Sequence, residues 1–422
     1  MSHVIYGLLA TTGRVTMLGL SRWTESGGSY RTLQRWYHSA LPWAQMLWLL
    51  FTKLLWQPGA EYIAAGDEVV VGKAGKETYG LGRFFSSLQQ RAIPGLSFFV
   101  FSLIAVQERR SYPLQANQIV KEAAGQKKDP PLQQKTKTGR RGRPKGSRNQ
   151  TGQAPTLSSE LGRMQAFLQA FLSLMGKVVS VTYLVLDGHF GNFPSAWLVR
   201  QAGLHLVSKL RSDAALYEPF SGDYGGQGRR PKYGKRLDVR RLPKKYLKSE
   251  QVEDGLWTRI YQAELLNKEF AFPLNVVVIL KINLTTEAQA HVILFSTDLK
   301  LAAEKIIDYY SLRFQIEFNF RDAKQYWGLD DFMNVKETAV TNAANLSFFM
   351  VNFSLLLLER FQKLNPAFSL LDLKAHYHAC RYVAETIKLL PQKPEAILLA
   401  RIFEHIARLG MIHPTLEPAP TS

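Results

Sequence analysis

The order in which apolar patterns follow one another is the tightest constraint this chain places on its fold. Three short β-rich runs punctuated by Gly lie at 69–71, 79–86 and 96–106 and predict a meander of successive strands. Residues 157–177 then set Leu161, Met164, Phe167, Leu168, Phe171 and Leu174 on one stripe of an amphipathic helix. A β-branched strand at 178–186 ends at Asp187, a Gly188-His189-Phe190-Gly191-Asn192 turn and a helix at 194–202 follow, and 204–210 reads as another strand. Residues 211–300 interrupt this order with strands near 257–265, 275–284 and 291–296, and a long helix runs from about 301 to 326. Strands, helix, strand, helix, strand, insertion, helix is the order of an α/β mixed sheet flanked by helices. Residues 1–60, with Trp36, Trp43, Leu47, Leu50 and Leu54 at helical spacing, and the blocks 337–362 and 371–410 add helical N- and C-terminal parts.

The division that follows is a helical, DNA-binding N-terminal region at 1–60 and the first part of the core at 61–210, with a basic mobile segment at 109–156 inside it. A β-rich basic insertion at 211–300, the last core helices at 301–362 and a helical C-terminal region at 363–422 complete it. The 53 Lys and Arg outnumber the 34 Asp and Glu by 19. That excess is concentrated: residues 121–150 carry a net +8 and residues 229–248 a net +9, leaving +2 for the rest. Two dense patches on a nearly neutral body suit a polyanionic partner. A single Cys excludes a disulfide scaffold and a Cys-based zinc finger. No uninterrupted apolar run reaches 18 residues, because the best candidate, 343–358, is broken by Asn345, Ser347, Asn352 and Ser354; no membrane partner is expected. The opening MSHVIYGLLATTGR lacks the basic start of a secretory signal, so a cytoplasmic, nucleoid-associated location is expected. The absence of a G-x-x-x-x-G-K-[ST] loop argues against ATP.

Within the first patch, Arg141-Gly142-Arg143-Pro144 is similar to the core of an AT-hook, which inserts Arg141 and Arg143 into a narrow minor groove; a basic linker is the other reading. The break at Ser26-Gly27-Gly28-Ser29 followed by a helix bearing Arg31, Gln34 and Arg35 suits either a helix-turn-helix or a helical cap with a solvated face. His376, His378 and Cys380 do not share one helical face and are read as structural.

The chemistry concentrates on the helix at 301–326. At about 100° per residue, Tyr310, Arg313, Glu317 and Lys324 fall within an arc of roughly 60°. Tyr309, Leu312, Ile316, Phe320, Ala323 and Trp327 form a separate apolar stripe. The helix therefore buries one flank and presents an acid, two bases and a phenol beside it. A carboxylate there can hold a divalent cation, and Arg and Lys can grip phosphates; an ordinary i,i+4 ion pair between Arg313 and Glu317 is the plainer reading.

The spacing Tyr310-x2-Arg313-x3-Glu317-x6-Lys324, with Trp327-Gly328-Leu329 beyond it, resembles the Y-R-E-K signature of bacterial insertion-sequence DDE transposases. Asp187-Gly188-His189-Phe190 is similar to that family's second-aspartate motif, and Asp67, with Lys73 and Lys76 downstream, stands where its first aspartate belongs. The resemblance spans about 61–330 and implies a ribonuclease H-like core. It implies a catalytic triad of Asp67, Asp187 and Glu317 and a phosphate grip of Tyr310, Arg313 and Lys324. It implies cleavage at the ends of a mobile element and strand transfer into target DNA, by a homodimer or higher oligomer on paired double-stranded ends. A non-catalytic DNA-binding relative and a ribonuclease H-like nuclease are the alternatives. Converging carboxylates repel unless cations lie between them, so Asp67, Asp187 and Glu317 are also the expected metal ligands, for Mg²⁺ with Mn²⁺ able to substitute. Glu68 adjoins Asp67, but strand alternation sends the two to opposite faces. Asp187 also suits a turn cap, and Asp298 and Asp308 suit charges near a helix start.

Overall fold

A computed structural model describes residues 1–24, 29–86, 89–121, 154–176, 178–226 and 228–413. Arg141, Arg143 and the Gly27-Gly28 break lie outside the described residues.

The N-terminal part comprises α1 (Ser2–Ala10), α2 (Met17–Ser21), α3 (Tyr30–Tyr37) and α4 (Trp43–Leu50), the last running into a π-helical turn, Phe51–Leu55. Thr16 and Ser29 cap α2 and α3 by accepting from Gly19 N and Thr32 N. Trp43 anchors this part to the core: it is buried and its Nε1 donates to Asn342 Oδ1 at 2.7 Å.

The core strands are β1 (Tyr62–Gly72), β2 (Gly82–Ser86), β3 (Arg91–Ala105), β4 (Arg110–Ile119), β5 (Tyr183–Val185) and β6 (His205–Leu210), with α5 (Ser159–Met175) and α6 (Phe193–Gln201) between the later ones. In space they run β4-β3-β1-β5-β6, with β3 antiparallel to β1 and to β4, and β1, β5 and β6 mutually parallel. This is the mixed sheet of a ribonuclease H-like fold. The expected meander is corrected, because β3 inserts between β1 and β2 and pairs with both. Its residues from Gly95 to Ala105 are all buried, and such a run belongs in the middle of a sheet.

The expectation of a mobile segment beginning at 109 is corrected as well, since 110–119 is a strand with six consecutive buried residues. Pro113 is accommodated at a register shift opposite Phe101 and Ser102, where a missing N–H does no harm. Its carbonyl is satisfied from afar, by Asn352 Nδ2 at 2.8 Å.

The insertion supplies β7 (Leu216–Pro219), β8 (Tyr233–Leu237), β9 (Leu247–Glu253), β10 (Leu256–Asn267), β11 (Leu274–Asn283) and β12 (Gln289–Ser296). β12 pairs antiparallel with β6, so the insertion continues the core sheet into one of twelve strands among the described residues. All ten Lys and Arg of 229–248 are exposed.

The chain then forms α7 (Ala303–Leu312), α8 (Gln315–Gln325), α9 (Glu337–Gln362), α10 (Leu370–Lys388) and α11 (Ala396–Ala407). The single helix expected over 301–326 is therefore two. At Arg313–Phe314 the bonding tightens: Arg313, Phe314, Ile316 and Glu317 each donate to the residue three back, at 3.0–3.3 Å. These are 3₁₀-type bonds, the usual connector where one helix ends and another begins. The apolar stripe survives the break, with Tyr309, Leu312, Ile316, Phe320, Ala323 and Trp327 all buried. Helix α9 is long and apolar enough to cross a membrane, but most of its apolar length is buried inside the protein, where it covers β4. His376 and Cys380 meet each other at 3.7 Å and His378 Nδ1 meets the Ala10 carbonyl at 2.8 Å, as structural residues would.

Candidate active site

Strand β1 places Asp67 on the sheet face toward α8. Its neighbours Gly66 and Glu68 point the other way, toward Phe99 and Ser97, as alternation requires. Gly66 is there because a Cβ would come within 2.9 Å of the Phe99 ring and 3.1 Å of Leu186. Asp187 follows β5, the parallel neighbour of β1, at the start of a 3₁₀ turn, Gly188–Phe190. Its Oδ1 accepts from His189 N at 3.1 Å and its carbonyl accepts from Ser208 Oγ at 2.7 Å. The turn cap foreseen for Asp187 is thus real, and the same bonds hold its carboxylate at the end of the strand. Glu317 lies in the first turn of α8, which crosses β1.

One guanidinium joins two of these acids. Arg313 Nη1 donates to Asp67 Oδ2 at 2.7 Å and Nη2 to Glu317 Oε1 at 2.9 Å. Arg313 and Asp67 are largely buried, with side chains 16% and 20% exposed, while Glu317 is 41% exposed and opens the site to solvent. Burial pushes the Asp67 carboxyl up to about 6; Arg313 opposes the rise, and the charges of Asp187 and Glu317 add to it. Asp67 therefore feels the charge of both other acids. The half-buried Tyr310 phenol is also raised, chiefly by burial, and the neighbouring Arg313 charge opposes the rise. Arg313 Nε is buried and finds no hydrogen-bond partner among the described residues.

Lys324 has a different position from the rest of its file. Its Nζ donates to the Val70 carbonyl at 2.7 Å and lies 3.9 Å from Asp330 Oδ1. It fastens α8 to β1 three residues beyond Asp67. Asp298 caps the turn after β12, accepting from Lys300 N at 2.9 Å and Tyr183 Oη at 2.8 Å, and Asp308 pairs with Arg109 at 2.7 Å; neither is tied to the triad. Sequence reasoning missed the bonds just past Trp327-Gly328-Leu329. Lys73 Nζ donates to the carbonyls of Asp330 and Phe332 at 3.0 and 2.7 Å, and Asp331 Oδ2 accepts from Val15 N at 3.0 Å. They bind the N-terminal helices, the end of β1 and the segment after α8 together behind the site. The Asp330-Asp331 pair was the available signal.

The donor set suits a hard divalent cation, three carboxylates with no sulfur or imidazole among them. As the side chains lie, no three His, Cys, Asp or Glu among the described residues are close enough to share an ion. The positive charge between Asp67 and Glu317 is instead the Arg313 guanidinium, a stand-in that marks where a cation is favoured.

Residues 1–264 of the 422 match the family model of the DDE superfamily endonucleases. The matched stretch contains Asp67 and Asp187 and ends before α7 and Glu317. No curated protein matches the chain. By that family match the chain belongs to the DDE superfamily endonucleases, nuclease-type enzymes that act on DNA with divalent metals.

Proposed function

We propose that this protein is a transposase of a bacterial insertion sequence, cutting DNA at the ends of its element and joining them to a target. The observation that carries the reading is the Arg313 bridge from Asp67 to Glu317, while the charge of Asp187 also reaches Asp67. The bridge joins two of the acids of the Y-R-E-K resemblance from distant parts of the chain. Asp67, Asp187 and Glu317 would hold Mg²⁺, with Mn²⁺ able to substitute, and the bound ion supplies Lewis acidity to the phosphoryl centre. Arg313 offers a planar fork for a phosphate and Tyr310 a phenolic donor. Lys324, two turns from Glu317, adds positive charge at the edge of the site. The exposed bases of 229–248 and the exposed Arg31, Gln34 and Arg35 of α3 give the duplex further surfaces to lie against. Arg141 and Arg143 would add minor-groove contacts. Hydrolysis and joining can share one site, because only the attacking hydroxyl differs. Two copies on paired ends complete the reading.

The test uses a supercoiled plasmid carrying the DNA that flanks the coding sequence on both sides, incubated with the full chain and Mg²⁺ or Mn²⁺. Cleavage at defined ends followed by strand-transfer joints is expected. Glu317→Ala should abolish both while leaving duplex binding within about twofold. Nicks without joints would reduce the protein to a nuclease, and undiminished cleavage by Glu317→Ala would remove Glu317 from the site.

A further inference from the structure

Arg313 makes three demands that a simple phosphate-binding arginine would not. Its guanidinium bridges two acids, Asp67 and Glu317, that the reading above assigns to the metal. Its Nε is buried without a partner, so the bridge leaves one strong donor unsatisfied. It stands at the 3₁₀ junction between α7 and α8, where backbone bonding changes register. While the bridge stands, no three acids among the described residues are close enough to share an ion.

We propose that Arg313 is a tethered counter-cation that fills the acidic site of the DNA-free protein and yields it to a divalent metal only when a DNA phosphate draws the guanidinium away. The inference rests on the reading of Asp67, Asp187 and Glu317 as metal ligands. The physical reason is one of charge balance. The largely buried Asp67 carboxylate is poorly solvated without a cation and is repelled by its acidic neighbours, so the site favours positive charge, from Arg313 or from metal. A guanidinium is never deprotonated and forks equally well onto carboxylate or phosphate, so it can exchange one anion for the other. Tyr310, one helical turn before Arg313 and within reach of its charge, is placed to share the phosphate. Metal and duplex then bind with positive coupling, and each raises the affinity of the other by the same factor. The consequence for the enzyme is that free metal does not arm the site before DNA has arrived.

The test measures Mn²⁺ binding to the full chain by the electron paramagnetic resonance signal of free Mn²⁺, with and without a 30-base-pair duplex at low salt. Wild type should bind Mn²⁺ at least about fivefold tighter with duplex, the lower end of ordinary coupling. Arg313→Gln should bind it about fivefold tighter than wild type without duplex, and gain less than about twofold on adding it. Arg313→Gln binding Mn²⁺ no more tightly than wild type would overturn the proposal. If circular dichroism shows that variant to be unfolded, Arg313→Lys decides by the same comparison, since an ammonium cannot bridge two acids as a fork does. Asp187→Asn separates the two levels of the argument. If wild type and Asp187→Asn bind Mn²⁺ alike in the presence of duplex, the metal reading itself fails. If Asp187→Asn loses binding while Arg313→Gln gains none, the counter-cation role alone fails.

Discussion

Replacing Asp67 by Asn should stabilise the metal-free protein while abolishing its cleavage. The Asp67 side chain is 20% exposed, and burial lifts its carboxyl from an ordinary 3.8 to about 6 in spite of Arg313. A rise of that size corresponds to about 3 kcal/mol of preference for the neutral acid. The folded protein thus holds this proton more tightly than the unfolded chain. Stability falls as pH climbs from about 4 to about 6, and above that the penalty is complete. Asn carries no charge to desolvate and its amide oxygen can still accept from Arg313, which keeps Glu317. The attraction of Arg313 is already included in that rise, so the expected gain stays at about 3 kcal/mol. Thermal unfolding in EDTA, so that metal does not stabilise either protein, is the assay. The Asn variant should melt roughly 2–4 °C above wild type at pH 7.5, and the gap should close or reverse by pH 4. A variant less stable than wild type throughout pH 6–8 would show that the Arg313 attraction outweighs burial, and would refute the argument.

Two further outcomes follow from the geometry. Gly191→Ala would drive its Cβ into the Lys209 carbonyl oxygen; this backbone atom cannot swing aside, so the turn that holds Asp187 should shift. A loss of about 1–3 kcal/mol in urea unfolding is expected, together with slowed cleavage, and wild-type behaviour in both would contradict the close approach. Removing Arg240 and Arg241, exposed beside Asp238 and Glu287, should lower the slope of log affinity against log salt by about 0.9 for each DNA phosphate these two arginines neutralise. An unchanged slope would take this part of the insertion off the DNA.

The helices were legible because their signal is local. The stripe from Tyr309 to Trp327 and the strands at 257–265 and 275–284 each express a period read over about a dozen residues, and all stand where expected. Strand pairing has no such local record. β4 is polar in sequence and holds Pro113, yet it is buried, and its Ser111 hydroxyl and Pro113 carbonyl are met by Asn319 and Asn352, more than 200 residues later. β3 lies between β1 and β2 because it is buried along most of its length, a property of the sheet and not of its order in the chain.

The same division runs through the site. From the residues alone came one flank of a helix bearing Tyr310, Arg313, Glu317 and Lys324, and two aspartates at strands that a mixed sheet sets side by side. Spacing could pair Arg313 with Glu317 four residues on, but it could not bring Arg313 to Asp67, 246 residues away, or shift the backbone to 3₁₀ bonding where the two helices join. Nor could it place Lys324 against the Val70 carbonyl. Those features follow from desolvation: acids drawn together by a fold must take the nearest cation, and which cation is nearest is decided only when the sheet and the helix have packed.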